Sequence, residues 1–394
     1  MSLKKQEAAT VAIPFWRDKR YIPIIAQALF VVFVASLLIF FAINYFNGMA
    51  QIGRAFGYQF LDSRAGFAIT DTIIKYVPSD SYGRALFVGI VNTIKVSFFG
   101  LILATILGFI VGIARLSPNW LTNKVSSIYI ETFRNTPLLV QLFIWYFAVI
   151  LPLPLIKDSV NIGIMYLSNR GAAIPWYVSN EGTLIWVSLF IIGIISAFFL
   201  WKVRVKQQVE TGKNKRPLLW AFGALVTSLL VALIITGQGP VHISLPSIVD
   251  NSYVGGVELS PGFLAVLIGL VMYTATYIAE IVRAGIMAVS KGQIEAAKAL
   301  GLKNTTTLRL VTLPQAIRII IPPLTSQYLN LIKNSSLAAA VAFPEIVNIG
   351  YITLNQTGRD VEVIFVMISV YLFFSLSTSI LMNIFNKYTQ LVER

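Results

Sequence analysis

Gly292-Gln293-Ile294-Glu295-Ala296-Ala297-Lys298-Ala299-Leu300-Gly301, followed after nine residues by Val311-Thr312-Leu313-Pro314, is the stretch on which the reading of this chain turns. Strong helix formers run up to a glycine that stops a helix, and a proline announces the next one. The stretch is polar, but the C-terminal half around it is apolar. A loop of this composition between two membrane spans is folded and rigid. A rigid helical hairpin at a membrane surface is a handle for a soluble partner.

The composition supports that setting. Of 394 residues, 56% are hydrophobic and 12% are charged, with a mean hydropathy of +0.75. Soluble domains carry about 25% charged residues. Half that share, with apolar runs of about 20 residues or more, describes a polytopic membrane protein. The net charge of +14 would suggest nucleic acid in a soluble chain. In a membrane chain it reads as topology signal and lipid-headgroup contact, so no nucleic-acid partner is expected. The absence of cysteine excludes disulfides and thiolate sites. His242, the sole histidine, reads as an interfacial bystander, because a metal site wants several converging ligands. The apolar run from Tyr21 to Tyr45 exceeds the roughly 7–15 residues of a signal sequence and lacks an A-x-A site, so it reads as a retained span.

Spans are expected at 22–46, 87–114, 125–150, 183–201, 217–236, 262–289, 318–343 and 362–386, a bundle of about eight transmembrane helices. Basic residues test the count. Twenty-one of the 31 fall on one side of the membrane, from Lys4 and Lys5 through the connector at 202–216 to Lys387 and Arg394. Seven, among them Arg54, Lys75, Arg170 and Arg359, fall on the other, and Lys95, Arg134 and Lys333 lie within spans. That asymmetry places both termini and the 292–314 hairpin in the cytoplasm. The outer loops 47–86 and 151–182 are long enough for short interfacial helices but not for a domain.

Charges inside the spans are the next signal. Glu131 and Arg134 share a helix face and can pair; so can Glu280 and Arg283. Each pair either satisfies itself at the inner interface or holds and gates a polar path. Arg134 opens the run Arg134-Asn135-Thr136-Pro137-Leu138-Leu139-Val140-Gln141. Pro137 implies a kink with freed carbonyls, taken up by Thr136 or used to present Gln141 at mid-membrane. Pro322 and Pro323 are expected to break the seventh span near its start. Lys333, Asn334, Ser335 and Ser336 then fall about 22 Å along it at 1.5 Å per residue. A lysine, an amide and two hydroxyls near the midplane form a substrate-path candidate or an assembly contact. Lys95 sits nearer the outer end of its span and is expected to snorkel.

Catalytic and metal-ligating constellations are missing from the sequence: no G-x-x-x-x-G-K-[ST] loop for ATP and no nucleophile–base pair. The chain is not expected to be an enzyme or to bind a cofactor. A self-powered secondary transporter remains an alternative, but it would want inverted halves and mid-membrane ion-coupling carboxylates. A non-transporting scaffold would leave the Lys333 cluster without a role.

At this point the residues resemble a known family. EAA-x3-G-x9-I-x-LP is the signature of permease subunits of bacterial ABC importers. It stands as Glu295-Ala296-Ala297, Gly301, Val311, Leu313 and Pro314, with valine replacing isoleucine. Tyr277-Ile278-Ala279-Glu280-Ile281-Val282-Arg283-Ala284-Gly285-Ile286 resembles an element of the polar amino acid branch. So do the Arg134–Gln141 run, with Asn135 where the family has glycine, Pro314-Gln315-Ala316-x-Arg318, and Lys333-Asn334-Ser335-Ser336-Leu337. The resemblance covers 87–150 and 262–390, the five-span core of a type I importer permease. The first span and the 151–261 insertion with two extra spans look like the longer Q-type permease of general L-amino-acid importers. The implied divisions are 1–86, 87–150, 151–261 and 262–394, with the coupling loop at 290–314.

The resemblance implies an all-α multi-pass protein of the bacterial inner membrane. It implies partners: a dimeric ATP-binding subunit carrying ATP and magnesium, a periplasmic amino-acid-binding protein, and a second permease, as a heterodimer in preference to a homodimer. Glu295, Ala296, Ala297, Gly301, Leu313 and Pro314 would couple to the ATPase. Lys333, Asn334, Ser335, Gln141, Glu131 and Arg134 would meet the two ends of a zwitterionic amino acid. Glu280 and Arg283 would gate or form an ion pair.

Overall fold

The computed structural model describes residues 16, 19, 21–51, 53 and 55–389. The basic residues counted at Lys4, Lys5, Arg17, Arg20, Arg54 and Arg394 lie outside these. The chain divides into two units, Met1–Ser63 and Arg64–Arg394. The first carries α1 (Ile22–Gln51) and a short 3₁₀ turn at Gln59–Asp62. α1 is apolar on every side and almost wholly exposed, which is the character of a lipid-facing helix.

The second unit begins with α2 (Tyr82–Ala114), started by Ser81, whose hydroxyl accepts from the Arg84 N–H. α3 (Trp120–Asn135) and α4 (Leu138–Phe143) follow, and the chain then runs on as a π-helical stretch at Ile144–Ile150. Next come four short strands, β1 (Val160–Ile162), β2 (Met165–Ser168), β3 (Gly171–Ile174) and β4 (Trp176–Val178). The long hairpin α5 (Thr183–Thr211) and α6 (Pro217–Thr236) separates them from β5 (His242–Ser244), β6 (Ser247–Val249), β7 (Ser252–Val254) and β8 (Val257–Leu259). α7 (Pro261–Met287), α8 (Lys291–Ala299), α9 (Asn304–Thr307) and α10 (Leu313–Asn334) lead to a 3₁₀ stretch at Ser335–Val341. α11 (Ile346–Thr357) and α12 (Asp360–Thr389) complete the fold.

α7 is the central helix. Leu270, Thr274, Ala275, Ile278, Ala279 and Val282 are all buried along it. α2 lies directly against it because α2 presents small residues four apart: Gly100, Ala104, Gly108 and Gly112. A Cβ on Gly108 would stand 2.6 Å from Ile278 Cβ, and one on Gly112 would stand 2.7 Å from the Ala279 carbonyl. This is small-xxx-small packing, which lets two backbones approach within a membrane. Two buried clusters flank the contact. One joins Val96, Leu138, Leu142, Phe263, Leu270 and Phe343. The other, nearer the 292–314 hairpin, joins Ala104, Ile278, Val282, Val289, Ile320 and Leu331.

Six helices among the described residues are long and apolar enough to cross a membrane, or eight if each of two bent pairs counts as one span. The predicted third span is not a kinked rod. The chain turns 103° between Asn135 and Leu138. Leu138 and Leu142 fold into the core beside Phe263 and Leu270 while α3, rich in polar residues, stays on the surface. The predicted seventh span breaks late rather than early. α10 runs through Pro322 and Pro323 without interruption, since proline's φ suits a helix and its cost is the missing hydrogen bonds. The break comes after Val341, where Ala342 takes φ 54° and the axis bends by 53° before α11.

The outer segment 151–182 holds one short 3₁₀ turn, Ile156–Asp158, and together with 242–259 it also forms antiparallel sheet, which was not expected. The order is β1-β2-β3-β8, with Ala173 opposite Glu258, and β4–β5 and β6–β7 form separate pairs. The β6–β7 hairpin turns on Asp250 and Asn251, both at positive φ (48° and 61°), as a two-residue primed turn requires. His242 sits exposed at the start of β5 opposite Val178. The basic connector at 202–216 is also more ordered than expected. α5 continues to Thr211, and the Arg204 guanidinium lies over the Trp220 ring at 4.3 Å.

Candidate functional site

The site is built from the hairpin that follows α7 and from the polar groups at that helix's lower end. α8 closes on Gly301, whose φ of +76° is the left-handed conformation that glycine adopts without a Cβ penalty. The Gly301 N–H donates to Lys298 O at 2.9 Å and the Leu302 N–H to Ala297 O at 3.1 Å. These two bonds form a Schellman cap and satisfy the last carbonyls of α8. α9 then packs back on α8 and runs through a π-helical turn at Leu308–Thr312 into α10. Val289 anchors the base of the hairpin in the core with Ile320.

Within this hairpin Glu295, Ala296 and Gly301 are exposed, Leu300 is 80% exposed, and Pro314 is exposed at the start of α10. Leu313 is half-buried, and Ala297, at 3% exposure, turns inward. Ala297 therefore packs the hairpin together rather than facing outward. The outward surface combines the Glu295 carboxylate, the exposed Lys291 and Lys298 and apolar side chains such as Leu300 on a preformed backbone.

Above the hairpin, Glu280 accepts from Arg283 Nε at 3.2 Å and from its terminal nitrogen at 3.0 Å. The other carboxylate oxygen is ion-paired with Arg115, just past the end of α2. Arg283 also reaches the Met287 sulfur at 3.0 Å. The in-helix pair expected from the sequence is present, and Arg115 makes it a three-membered node joining α2 to α7. No spacing rule points to Arg115, because it lies 165 positions from its partner.

The companion pair is not formed. Glu131 and Arg134 are both exposed on α3, and the Arg134 guanidinium lies 5.1 Å from the centroid of Tyr277 on α7. The Tyr277 hydroxyl in turn shares a 3.0 Å hydrogen bond with that of Tyr273. An aromatic face across the helix pair has taken the cation from its neighbour in sequence.

Gln141 is turned inward in the single chain. It is 3% exposed, and its amide donates to the carbonyls of Phe133 at 2.7 Å and Thr136 at 2.9 Å. The Thr136 hydroxyl donates to Thr132 O at 2.8 Å. Together they take up carbonyls that the α3–α4 turn strips of helical partners. Ser335 is likewise buried, its hydroxyl spent on Ile332 O at 2.7 Å. Lys333 is exposed and Asn334 half-exposed at the end of α10, and Lys333 makes no ion pair among the described residues. The six path candidates thus separate into two buried supports and four groups left open on the surface of the single chain.

Several polar residues escaped the sequence reading. Glu345, fully buried, caps α11 by accepting from the N–H groups of Val347 (2.9 Å) and Asn348 (2.8 Å), and it accepts from the Tyr371 hydroxyl at 3.0 Å. Glu362 is buried against Arg359 at 3.1 Å. Lys95 does not snorkel: it pairs with Asp71 at 2.8 Å and lies over the Phe263 ring at 4.3 Å. Among the described residues no group of three or more His, Asp or Glu converges as a metal site would require.

A bundle of long apolar helices with a rigid polar hairpin between α7 and α10 defines a membrane component built to engage a soluble subunit. The family described as binding-protein-dependent transport system inner membrane component matches residues 216–390. The putative amino-acid ABC transporter permease protein YhdX of Escherichia coli (strain K12) is 43% identical over 93% of this chain and 94% of its own length. The general L-amino acid transport system permease protein AapQ of Rhizobium johnstonii is 41% identical over 96% and 94%. The glutamate/glutamine/aspartate/asparagine transport system permease protein BztB of Rhodobacter capsulatus is 39% identical over 96% of each chain. The crystal structure of an amino acid ABC transporter with histidines covers 78% of this chain and 95% of its own, at 21% identity and a TM-score of 0.46. The chain belongs to this inner-membrane-component family, among its amino-acid ABC transporter permeases, and it is matched over almost the full length of these relatives.

Proposed function

We propose that the chain forms the translocation path of an ABC importer for amino acids and receives the force of ATP hydrolysis through the α8–α9 hairpin. The observation that carries this reading is the hairpin itself. It is an exposed knob, locked by a glycine cap, at the end of the central helix α7. Movement of such a knob is passed directly to α7, and through the Glu280 node to α2.

In this reading Glu295 meets a basic group of the ATP-binding subunit, and Ala296, Leu300, Gly301 and Pro314 shape the seat. ATP and magnesium bind on that subunit. The hairpin side is cytoplasmic, with both termini on it, and the opposite side receives a soluble amino-acid-binding protein. Four polar groups open on the single chain, Glu131, Arg134, Lys333 and Asn334, support a second permease subunit; a sibling chain, in preference to a second copy, is the partner proposed. A charge left facing lipid at a helix centre costs about 2.5–3.5 kcal/mol. Facing a second subunit across a wet path, Lys333 and Arg134 offer partners for a carboxylate, and Glu131 offers one for an ammonium.

The test is charge reversal. The complex with its ATP-binding subunit, second permease and binding protein is reconstituted in liposomes, and uptake of labelled L-amino acids is followed beside ATP hydrolysis. Glu295→Lys is expected to lower uptake per ATP hydrolysed while leaving the helical content unchanged. An unchanged ratio counts against the docking role. Uptake driven by the chain alone, without any ATP-binding partner, would overturn the reading as a whole.

A further inference from the structure

A second polar cluster lies at the far end of α7, about 40 Å from the hairpin at 1.5 Å per residue over its 27 residues. It is organised by residues 64–81. Arg64 and Ser81 bridge the two ends of this segment. The Ala65 N–H donates to Asp80 O at 2.8 Å and the Gly66 N–H to Pro78 O at 3.0 Å. The Tyr76 hydroxyl donates to Phe67 O at 2.9 Å and the Val77 N–H to the Asp80 carboxylate at 2.9 Å. The segment is a closed loop held by its own bonds, with its ends together.

Its tip turns one charge inward. Asp71 is 8% exposed, between the exposed Thr70, Thr72 and Ile73. One carboxylate oxygen pairs with Lys95 of α2 at 2.8 Å. The other accepts from the Ser260 hydroxyl at 2.7 Å. Ser260 is the cap of α7, its oxygen also accepting from the Phe263 N–H at 3.1 Å. The Asp71 carbonyl accepts from the Asn92 amide at 2.7 Å, and the same nitrogen donates to Pro344 O at 2.9 Å. One loop residue therefore ties together α2, the start of α7 and, through Asn92, the break between α10 and α11. Arg84 of α2 also donates to Lys75 O at 2.9 Å, near the base where the loop enters that helix; the loop's other bonds named above are internal, so its tip can swing about that base when the Asp71 contacts part.

We propose that Asp71 is a positioning residue for transport. Through Lys95, Ser260 and Asn92 it latches the 64–81 loop across the ends of α2 and α7, and the latch opens and closes in each transport cycle. The inference rests on the importer reading above, with this end of α7 facing the binding protein. A buried ion pair suits the task, since separating it without compensation is costly and the closed arrangement is favoured until the cycle drives it apart.

The absence of native cysteine allows a direct test. Asp71→Cys with Ser260→Cys places two thiols where a hydrogen bond now joins loop and helix. The complete reconstituted complex is assayed oxidised and after reduction with dithiothreitol. Cross-linking is followed by protease digestion and mass spectrometry. Oxidation is expected to lower amino-acid uptake by about tenfold or more, as for a closed lid, with recovery on reduction; each single-cysteine variant should be insensitive to oxidant. A fully cross-linked complex that transports at the reduced rate overturns the latch and leaves the importer reading intact. A complex that takes up no amino acid in either state, while the unsubstituted complex also fails, overturns the importer reading and the latch with it.

Discussion

Arg115, one residue past the end of α2, is ion-paired with Glu280 of α7, which also holds Arg283 one turn along its own helix at 3.0 Å. The Asp71–Lys95 pair lies toward the other end of the same two helices. The α2–α7 contact is thus fastened near both ends by charge and along its middle by small residues. That arrangement makes the two helices one packed unit, suited to carry the proposed movement of the hairpin to the opposite side.

Glu280→Gln removes the acid and leaves Arg115 and Arg283 facing each other. The three side chains are 19–31% exposed, so solvent moderates the effect. A loss of about 1–2 kcal/mol is expected, between the surface and buried limits. Thermal unfolding in detergent measures it. A double-mutant cycle with Arg115→Gln should return a coupling of about 0.5 kcal/mol or more, because the two groups touch.

The helix contact itself gives a sharper contrast. Gly108→Ala would drive a methyl to 2.6 Å from Ile278 Cβ and Cγ2, so α2 and α7 must separate. Overpacking of this kind costs about 1–3 kcal/mol. Gly223 lies in the middle of α6 with nothing within 4 Å of its missing Cβ. Gly223→Ala should be neutral or stabilising by up to about 1 kcal/mol, since alanine is the better helix former. The two variants, measured side by side by thermal unfolding, should shift in opposite directions or with clearly different size.

Gln141→Leu keeps the volume roughly constant but removes the donor to Phe133 O and Thr136 O. Two part-buried carbonyls then lose a partner, toward the lower end of the about 1–3 kcal/mol cost of an unsatisfied group. The expected result is a lowered unfolding temperature together with reduced uptake, because the turn that seats Leu138 and Leu142 is loosened. A Gln141 variant that lost uptake with full stability would instead give this residue a direct role in the path.

The sequence carried the setting of this protein further than its details. Apolar length and the distribution of basic residues identified the membrane helices, and the Glu295–Pro314 spacing located the hairpin with its glycine cap. The angle at Pro137 was not legible: proline signals a bend, but the 103° turn is set by Leu138 and Leu142 packing under α7. The strands were missed because runs of three or four residues are too short to show alternation; Asp250-Asn251 and Gly163 were the available turn signals. Asp71 and Arg115 were passed over because their partners are distant in sequence. Glu131 and Arg134 misled for the opposite reason, since correct helical spacing allows a pair without requiring one.

Gly301 separates the hairpin's geometry from its chemistry. Its φ of +76° disfavours any residue with a Cβ, yet nothing lies within 4 Å of where that Cβ would stand. The penalty of Gly301→Ala is therefore conformational, about 1 kcal/mol, and local to the cap of α8. The hairpin's apolar anchor at Val289 is untouched, so global unfolding should barely move. What should fall is affinity for the ATP-binding subunit, read by co-purification and by uptake. Gly301→Val, with a branched Cβ, should do worse than alanine, and Gly301→Asn, which tolerates the left-handed region, should do better. An order of Gly, Asn, Ala, Val in subunit capture at constant unfolding temperature would mean that the partner reads the shape of this turn. Equal capture by all four would mean that the partner does not depend on it.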